Sequence, residues 1–248
     1  MPDMAKGDNM FKITPEILKK VSGGSGNKKV IDGLVEYLPE ALEKYEINTK
    51  LRLAHFLAQI SHESDHFRTT EEYASGRAYE GRRDLGNVRR GDGVRYKGRG
   101  VIQLTGRANY QKYGEILGID LEGHPELAAT PRVSVLTALE YWKQRNINKL
   151  ADRDDVRLVT RAVNGGYNGL DDRQASLDRA KQALKDIEII TPGAPPAPEP
   201  VKVEPAPVIV TEKKIEQPNT NTVIEVVEAV ANTSNDIPMF VEIDLTNQ

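Results

Sequence analysis

The sequence predicts an all-α protein interrupted by one large irregular insert. Three observations predict it. Apolar residues recur at helical spacing through the body, as at Leu53, Phe56, Leu57 and Ile60. Start and stop signals bracket most of these stretches, with Thr or Asp ahead of them and Gly or Asn-Gly behind. Between Tyr73 and Gly100 the periodicity fails, and glycines and arginines dominate. A loop that long is uncommon unless it carries function.

Taken in order, Thr14-Pro15-Glu16 supplies an N-cap, a proline at the first helical position and an acid in the first turn, opening a short helix to Val21. Gly23-Gly24-Ser25-Gly26 ends it. Lys28 to Tyr37 and Pro39 to Tyr45 are expected as a helical pair broken at Pro39, because an interior proline removes a donor and crowds the preceding turn. Thr49 caps a long helix to about Ser64, and Arg107 to Leu117 forms another, stopped by Gly118. Thr130-Pro131 opens a helix to about Asn146. Asp154 or Asp155 caps the next, which ends at Asn164-Gly165-Gly166, and Leu170 to Ile187 is the last.

The chain has 248 residues, 38% hydrophobic and 29% charged, enough for one sizeable core and an appendage. From Pro192 onward lie nine of the 14 prolines but one of the 20 glycines, with nine acidic residues against three lysines. That acidic stretch begins with a Pro-rich linker and is expected to be disordered. Its one apolar run, Thr222 to Ala231, is too short for a domain and has a docking peptide as its sharper reading. The rest of the chain is mildly basic, with 31 basic and 28 acidic side chains. That excess is too small for nucleic acid, and no basic stripe with interleaved aromatics occurs. No apolar run reaches the roughly 20 residues of a membrane span, so no membrane insertion is expected. The first residues lack the apolar region of a secretory signal, which predicts synthesis in the cytoplasm. Without cysteine there is no disulfide, thiolate zinc site or cysteine nucleophile.

Two chemistries compete at the end of the long helix. His62-Glu63-Ser64-Asp65-His66 has the H-E-x-x-H form of a zinc peptidase, which would put both histidines on one helix face. Asp65 places a charge where such helices bury an uncharged residue, and His55 and His124 offer no evident third ligand. The other chemistry uses carboxylates. A carboxyl partly buried at a cleft edge favours its protonated form and can protonate a glycosidic oxygen while a second carboxylate activates water across the sugar. Glu63 suits the first role; Glu71, Glu72 and Glu80 in the insert are candidates for the second.

Four stretches in order tip the balance. Ala54 to Ser64 (AHFLAQISHES) resembles the catalytic helix of glycoside hydrolase family 19, the chitinases and chitinase-like phage endolysins. Tyr96 to Thr105 (YKGRGVIQLT), continued by Gly106-Arg107-Ala108-Asn109-Tyr110, is similar to the family's Y-x-G-R-G-x-I-Q-L-[ST] signature. Ala162 to Gly166 (AVNGG) resembles its I-N-G-G element, and Asp178-Arg179 is similar to an arginine site in its last helix.

The resemblance implies a lysozyme-like fold of two helical lobes around a cleft. It makes 49–190 the catalytic core, with 1–48 a helical segment packed on it and 191–248 the linker and acidic tail. It implies an inverting mechanism with neither metal nor cofactor. Glu63 matches the general acid, Glu72 (nine residues on, as in phage enzymes) the general base, and Thr105 the hydroxyl that helps hold the attacking water; Thr105 also has a reading as a helix cap. Gln103, Asn109 and Asn164 match sugar-contacting amides, with Tyr96 and Arg179 in support, Arg179 as a partner of Glu63 or Glu72. Glu80 is the next candidate base, with a reading as an ion-pair partner of Arg77, Arg82 and Arg83; Glu71 comes last. The short, cysteine-free chain resembles the phage-type branch, which is associated with peptidoglycan. The expected function is therefore an endolysin cutting β-1,4 bonds of peptidoglycan glycan strands, acting on the periplasmic wall as a monomer after a holin-type permeabilising partner opens the way. The alternatives are a chitinase and a non-catalytic glycan-binding or virion structural protein.

Overall fold

The structure, a computed structural model, describes residues 11–187. It is mainly helical. Isolated β-bridges pair Glu71 with Arg99 and Arg99 with Leu104. The helices are α1 (Pro15–Val21), α2 (Lys28–Leu42), α3 (Lys50–Glu63), α4 (Asp92–Arg95), α5 (Arg107–Leu117), α6 (Pro131–Gln144), α7 (Ile147–Ala151), α8 (Val156–Asn164) and α9 (Leu170–Leu184). The stretch from Ser64 to Gly106 holds only α4 and two 3₁₀ turns, Arg77–Tyr79 and Arg83–Leu85.

The capping signals act as their chemistry requires. Thr14, Thr49 and Asp155 each accept a backbone N–H of their helix's first turn, while Gly118 and Gly165 close α5 and α8 in the left-handed conformation. One expectation fails. Pro39 does not break the chain into two helices but lies inside continuous α2. An interior proline costs about 3 kcal/mol. α2 buries Ile31, Leu34, Leu38 and Leu42, at about 1.5–3 kcal/mol each, which outweighs that cost. Close approach adds to this: a Cβ on Gly33 would come within 2.6 Å of the Pro131 ring, so α2 and α6 meet where only glycine fits. Short α7 follows a left-handed Asn146 and gives no sequence signal of its own.

Two buried clusters define two lobes. The larger surrounds α3, whose Leu53, Phe56, Leu57 and Ile60 are fully buried with Trp142 of α6 and Leu177 of α9. α3 and α9 form the most extensive helix pair, and α1 packs on α9 as well. The smaller cluster gathers Tyr96, Leu104, Tyr110, Tyr113, Leu121, Ala128 and Val133 around α5. Tyr141 packs against both. No described helix is long and apolar enough to cross a membrane. The 191–248 tail and its Thr222 to Ala231 run lie outside the described residues.

Candidate active site

Glu63 is the last residue of α3. Its carboxylate is largely buried, and Oε1 accepts a bond of 2.5 Å from Arg173 Nη2. Arg173 is itself 1% exposed. Its Nη1 donates to Gln59 Oε1 at 2.6 Å and its Nε to the Asn168 carbonyl at 3.1 Å. Gln59 lies one turn before Glu63 and reaches Thr160 of α8 at 3.4 Å. A buried guanidinium is tolerable only when its donors are used, and Gln59 and Glu63 of α3 and the Asn168 carbonyl just before α9 use them. Glu63 Oε2 has no partner among the described residues.

The second carboxylate sits in the insert. Tyr79 donates its hydroxyl to Glu72 Oε1 at 2.9 Å, and the Gly98 amide donates to Oε2 at 2.9 Å. Partial burial, and then this bond, push the Tyr79 phenol pKa up, so Tyr79 remains a donor at neutral pH. A Cβ on Gly98 would lie 2.7 Å from Gln103 Oε1, 3.2 Å from Glu72 Oε2 and 3.3 Å from Thr105 Oγ1. Three side-chain oxygens thus converge over a residue without a side chain. Thr105 donates its hydroxyl to the Gln103 carbonyl at 2.9 Å, which leaves lone pairs facing that space. It caps no helix: Gly106 holds the cap position of α5, without a side-chain bond. Gln103 Nε2 and Asn109 Nδ2 are tied to the Gly100 and Thr105 carbonyls at 2.9 and 2.8 Å. Asn164 ends α8, exposed, one turn beyond Thr160 on the same face.

The neighbouring carboxylates are otherwise engaged. Glu71 pairs with Lys97 and Arg99 at 3.2 and 3.3 Å. Glu80 accepts the Gly91 and Gly93 amides at 2.7 and 2.9 Å. It closes the insert through backbone donors, not through Arg77, Arg82 or Arg83; Arg82 pairs with Asp84 instead.

The H-E-x-x-H pattern does not share one helix face. α3 stops at Glu63, and Asp65, His66 and Phe67 turn left-handed with φ of 50, 56 and 60°. His62 and His66 both turn to Asp172. Among the described residues no group of three or more potential ligands could hold a metal ion. His55 is buried against Asp154 at 2.9 Å, and burial lowers its pKa despite that partner.

The family profile described as Chitinase class I matches residues 43–160. A glycosyl hydrolase family 19 domain-containing protein of Haemophilus influenzae is 33% identical over 174 residues, 58% of this chain and 85% of that relative. The chain belongs to glycoside hydrolase family 19. Chitinase 8 of Oryza sativa subsp. japonica is 35% identical over 105 residues, a match that spans 40% of that protein. Chitinase C from Streptomyces griseus HUT6037 superposes with a TM-score of 0.56 at 24% identity, covering 72% of this chain and 95% of that one. At that identity the likeness shows the shared mainly helical fold.

Within this family 19 glycoside hydrolase, two expected site residues lie elsewhere. Tyr96 is 1% exposed; its ring packs with Tyr110 and beneath Arg107, and its hydroxyl donates to the Glu122 carbonyl at 3.1 Å. It builds the smaller lobe and is closed to sugar. Arg179 donates to the Val21 carbonyl and to Ser176, each at 2.8 Å, and fastens α9 to α1. The arginine that meets Glu63 is Arg173, six residues earlier. Its signal was present: Arg173, Leu177, Ala180 and Leu184 share the buried stripe of α9, and a charge on such a stripe needs a partner.

Proposed function

We propose that this family 19 hydrolase is an endolysin-type enzyme that cuts β-1,4 bonds in the glycan strands of peptidoglycan, with inversion. Glu63 is the general acid: Arg173 occupies Oε1, which leaves Oε2 to deliver a proton to the leaving glycosidic oxygen. Glu72 is the base. A water between Glu72 Oε2 and Thr105 Oγ1 gives a hydrogen bond to each, and its free lone pair attacks the anomeric carbon as Glu72 takes the proton. The amide oxygens of Gln103, Asn109 and Asn164 remain to accept from sugar hydroxyl and N-acetyl N–H groups.

The observation that carries the choice of polymer is charge. From Arg77 to Arg107 there are nine basic residues against three acidic ones, and exposed Arg77, Arg83, Arg89 and Arg90 have no carboxylate partner among the described residues. Arg77 belongs to the 3₁₀ turn whose Tyr79 hydroxyl meets Glu72, and Arg89 and Arg90 line a hollow with Arg95 and Arg107. Peptidoglycan carries stem-peptide carboxylates and chitin carries no charge, so an arginine rim favours the former. The second reading, chitin, is favoured by the names of the plant and Streptomyces relatives. On the first reading the enzyme acts at the cell wall, reached with a membrane-permeabilising partner.

Mass analysis of products from purified peptidoglycan, beside a chitin-oligomer control, tests this. Muropeptides with new reducing ends at rates well above chitin cleavage are expected. Efficient cleavage of the chitin oligomer with intact peptidoglycan would replace the first reading by the second.

A further inference from the structure

We propose that Asp172 is a positioning residue for Glu63 that acts through the two histidines flanking it; this rests on the reading of Glu63 as the general acid. Asp65, His66 and Phe67, just past Ser64 at the end of α3, are three successive non-glycine residues in the left-handed region. Such a conformation costs on the order of 1–2 kcal/mol per residue and persists only where its surroundings fix it. Part of the fixing is local. The His66 amide donates to the Ser61 carbonyl at 2.6 Å and the Phe67 amide to Ser64 Oγ at 3.1 Å.

The rest comes from the first turn of α9. Asp172 Oδ2 lies 2.6 Å from His62 Nδ1, and Oδ1 lies 3.4 Å from His66 Nε2. One carboxylate therefore spans the turn, hydrogen-bonded to the residue before Glu63 and facing the residue three after it at the longer distance. The next residue, Arg173, holds Glu63 itself. The His62 ring lies flat on Gly169, where a Cβ would come within 2.1 Å of Cε1. The other ring nitrogen of His66, Nδ1, is buried with no hydrogen-bond partner in the described structure, so Asp172 is the polar anchor of that ring.

The remaining charges around the turn are Asp65 and Arg68, which pair with each other at 3.1 Å. Neither reaches the histidines in place of Asp172. Without the Asp172 carboxylate, Arg173 alone ties Glu63 to α9, and the strained turn is free to relax. The Glu63 carboxyl then shifts against the glycosidic oxygen. A misplacement of about 1 Å costs on the order of 10²-fold in rate. Because Gln103 and Asn109 sit beside the smaller cluster and Asn164 ends α8, none of them on the strained turn, the loss falls on kcat and spares KM.

The test compares the full-length chain with its Asp172→Asn, Asp172→Glu, His66→Gln and Glu63→Gln variants. Steady-state rates are measured on whichever soluble glycan the parent cleaves, N-acetylchitohexaose or solubilised peptidoglycan strands, and normalised to the folded fraction from thermal unfolding. For Asp172→Asn, kcat should fall at least 30-fold with KM within twofold. Asp172→Glu, which keeps a carboxylate, should recover most of that loss, and His66→Gln should fall about tenfold in kcat alone. An Asp172→Asn enzyme within threefold of the parent overturns the proposal. So does a loss that vanishes on normalisation, or a Glu variant as impaired as the Asn variant. Should Asp172→Asn fail to fold, His66→Gln decides: unchanged kcat overturns the proposal. An active Glu63→Gln enzyme instead removes the general-acid reading, whereas an inactive one beside a normal Asp172→Asn enzyme removes the positioning role alone.

Discussion

Glu72 and Gly98 hold each other: the Glu72 amide donates to the Gly98 carbonyl at 2.9 Å, and the Gly98 amide donates to Glu72 Oε2 at 2.9 Å. The bonded pair fixes the Glu72 backbone and carboxylate together. Gly98→Ala keeps both amides but places a methyl within 2.7 to 3.3 Å of Gln103, Glu72 and Thr105 oxygens. Turnover should fall at least tenfold while the thermal midpoint moves by no more than a few degrees. Wild-type turnover would show that the space above Gly98 is not where water is activated.

The carboxylates should separate by role. Glu63→Gln should remove essentially all activity, since an amide donates no acid proton and general acid catalysis is worth about 10²–10⁴-fold. Glu72→Gln should cost about 10²-fold or more in kcat with little change in KM. Glu71→Gln, which removes a half-exposed partner of Lys97 and Arg99, should be nearly neutral for activity. Glu80→Gln weakens two bonds to backbone amides and should lower stability by about 1–2 kcal/mol before it lowers activity. Kinetics and melting curves on the four proteins distinguish these outcomes; a folded but inactive Glu80→Gln beside an active Glu72→Gln would transfer the base role.

The two arginines of α9 offer a paired contrast. Arg173→Leu leaves the Glu63 carboxylate and the Gln59 amide without their donor. Removing one partner of a buried ion pair costs about 3–5 kcal/mol, and the partial exposure of Glu63 puts this case at the lower end. Arg179→Leu loses bonds to a carbonyl and a hydroxyl, worth about 1 kcal/mol each, and should leave kcat unaltered. Chemical denaturation of both variants measures the difference. Equal losses would contradict the assignment of Arg173 to the site.

Acid should loosen the insert. The Arg107 guanidinium, ahead of backbone amides, holds the buried Asp92 carboxyl below the usual carboxylate range against the opposing effect of burial. A lowered folded-state pKa adds stability that is present above the unfolded value, about 3.9, and is lost as pH falls through the folded one. Thermal midpoints between pH 5 and 3 should therefore fall steeply, and less steeply in Asp92→Asn. Asp152, held down by Arg52, acts in the same direction, so the slope shrinks without vanishing. An unchanged slope would show that the Asp92–Arg107 pair is not linked to folding.

Much of this was legible in the sequence, and the exceptions have identifiable causes. Caps and apolar spacing marked α1, α3, α5, α6, α8 and α9 because those signals act within one or two turns. Pro39 misled because its local cost is offset by contacts with α6, a partner almost a hundred residues away. The convergence of Glu72, Gln103 and Thr105 depends on backbone pairing between Glu72 and Gly98, which no residue type announces. Asp172-Arg173 and Asp178-Arg179 are the same dipeptide twice, and only the helical phase of α9 tells which arginine faces α3. The left-handed run after Glu63 has no glycine to signal it; the bonds of His66 and Phe67 to Ser61 and Ser64 hold it, with Asp172 alongside.

Glu63 rides on α3 within the larger cluster, whereas Glu72, Gly98 and Thr105 adjoin the smaller one around Tyr96, Leu104 and Tyr110. The loop between them serves both clusters, with Val101 and Ile102 in the larger and Tyr96 and Leu104 in the smaller. Mutational drift can lengthen, shorten or recharge the arginine-rich insert without disturbing α3; on the proposed roles, that would retune which polymer is admitted and leave the acid in place. Modular inheritance of this kind lets one half of a reaction centre diversify while the other stays fixed.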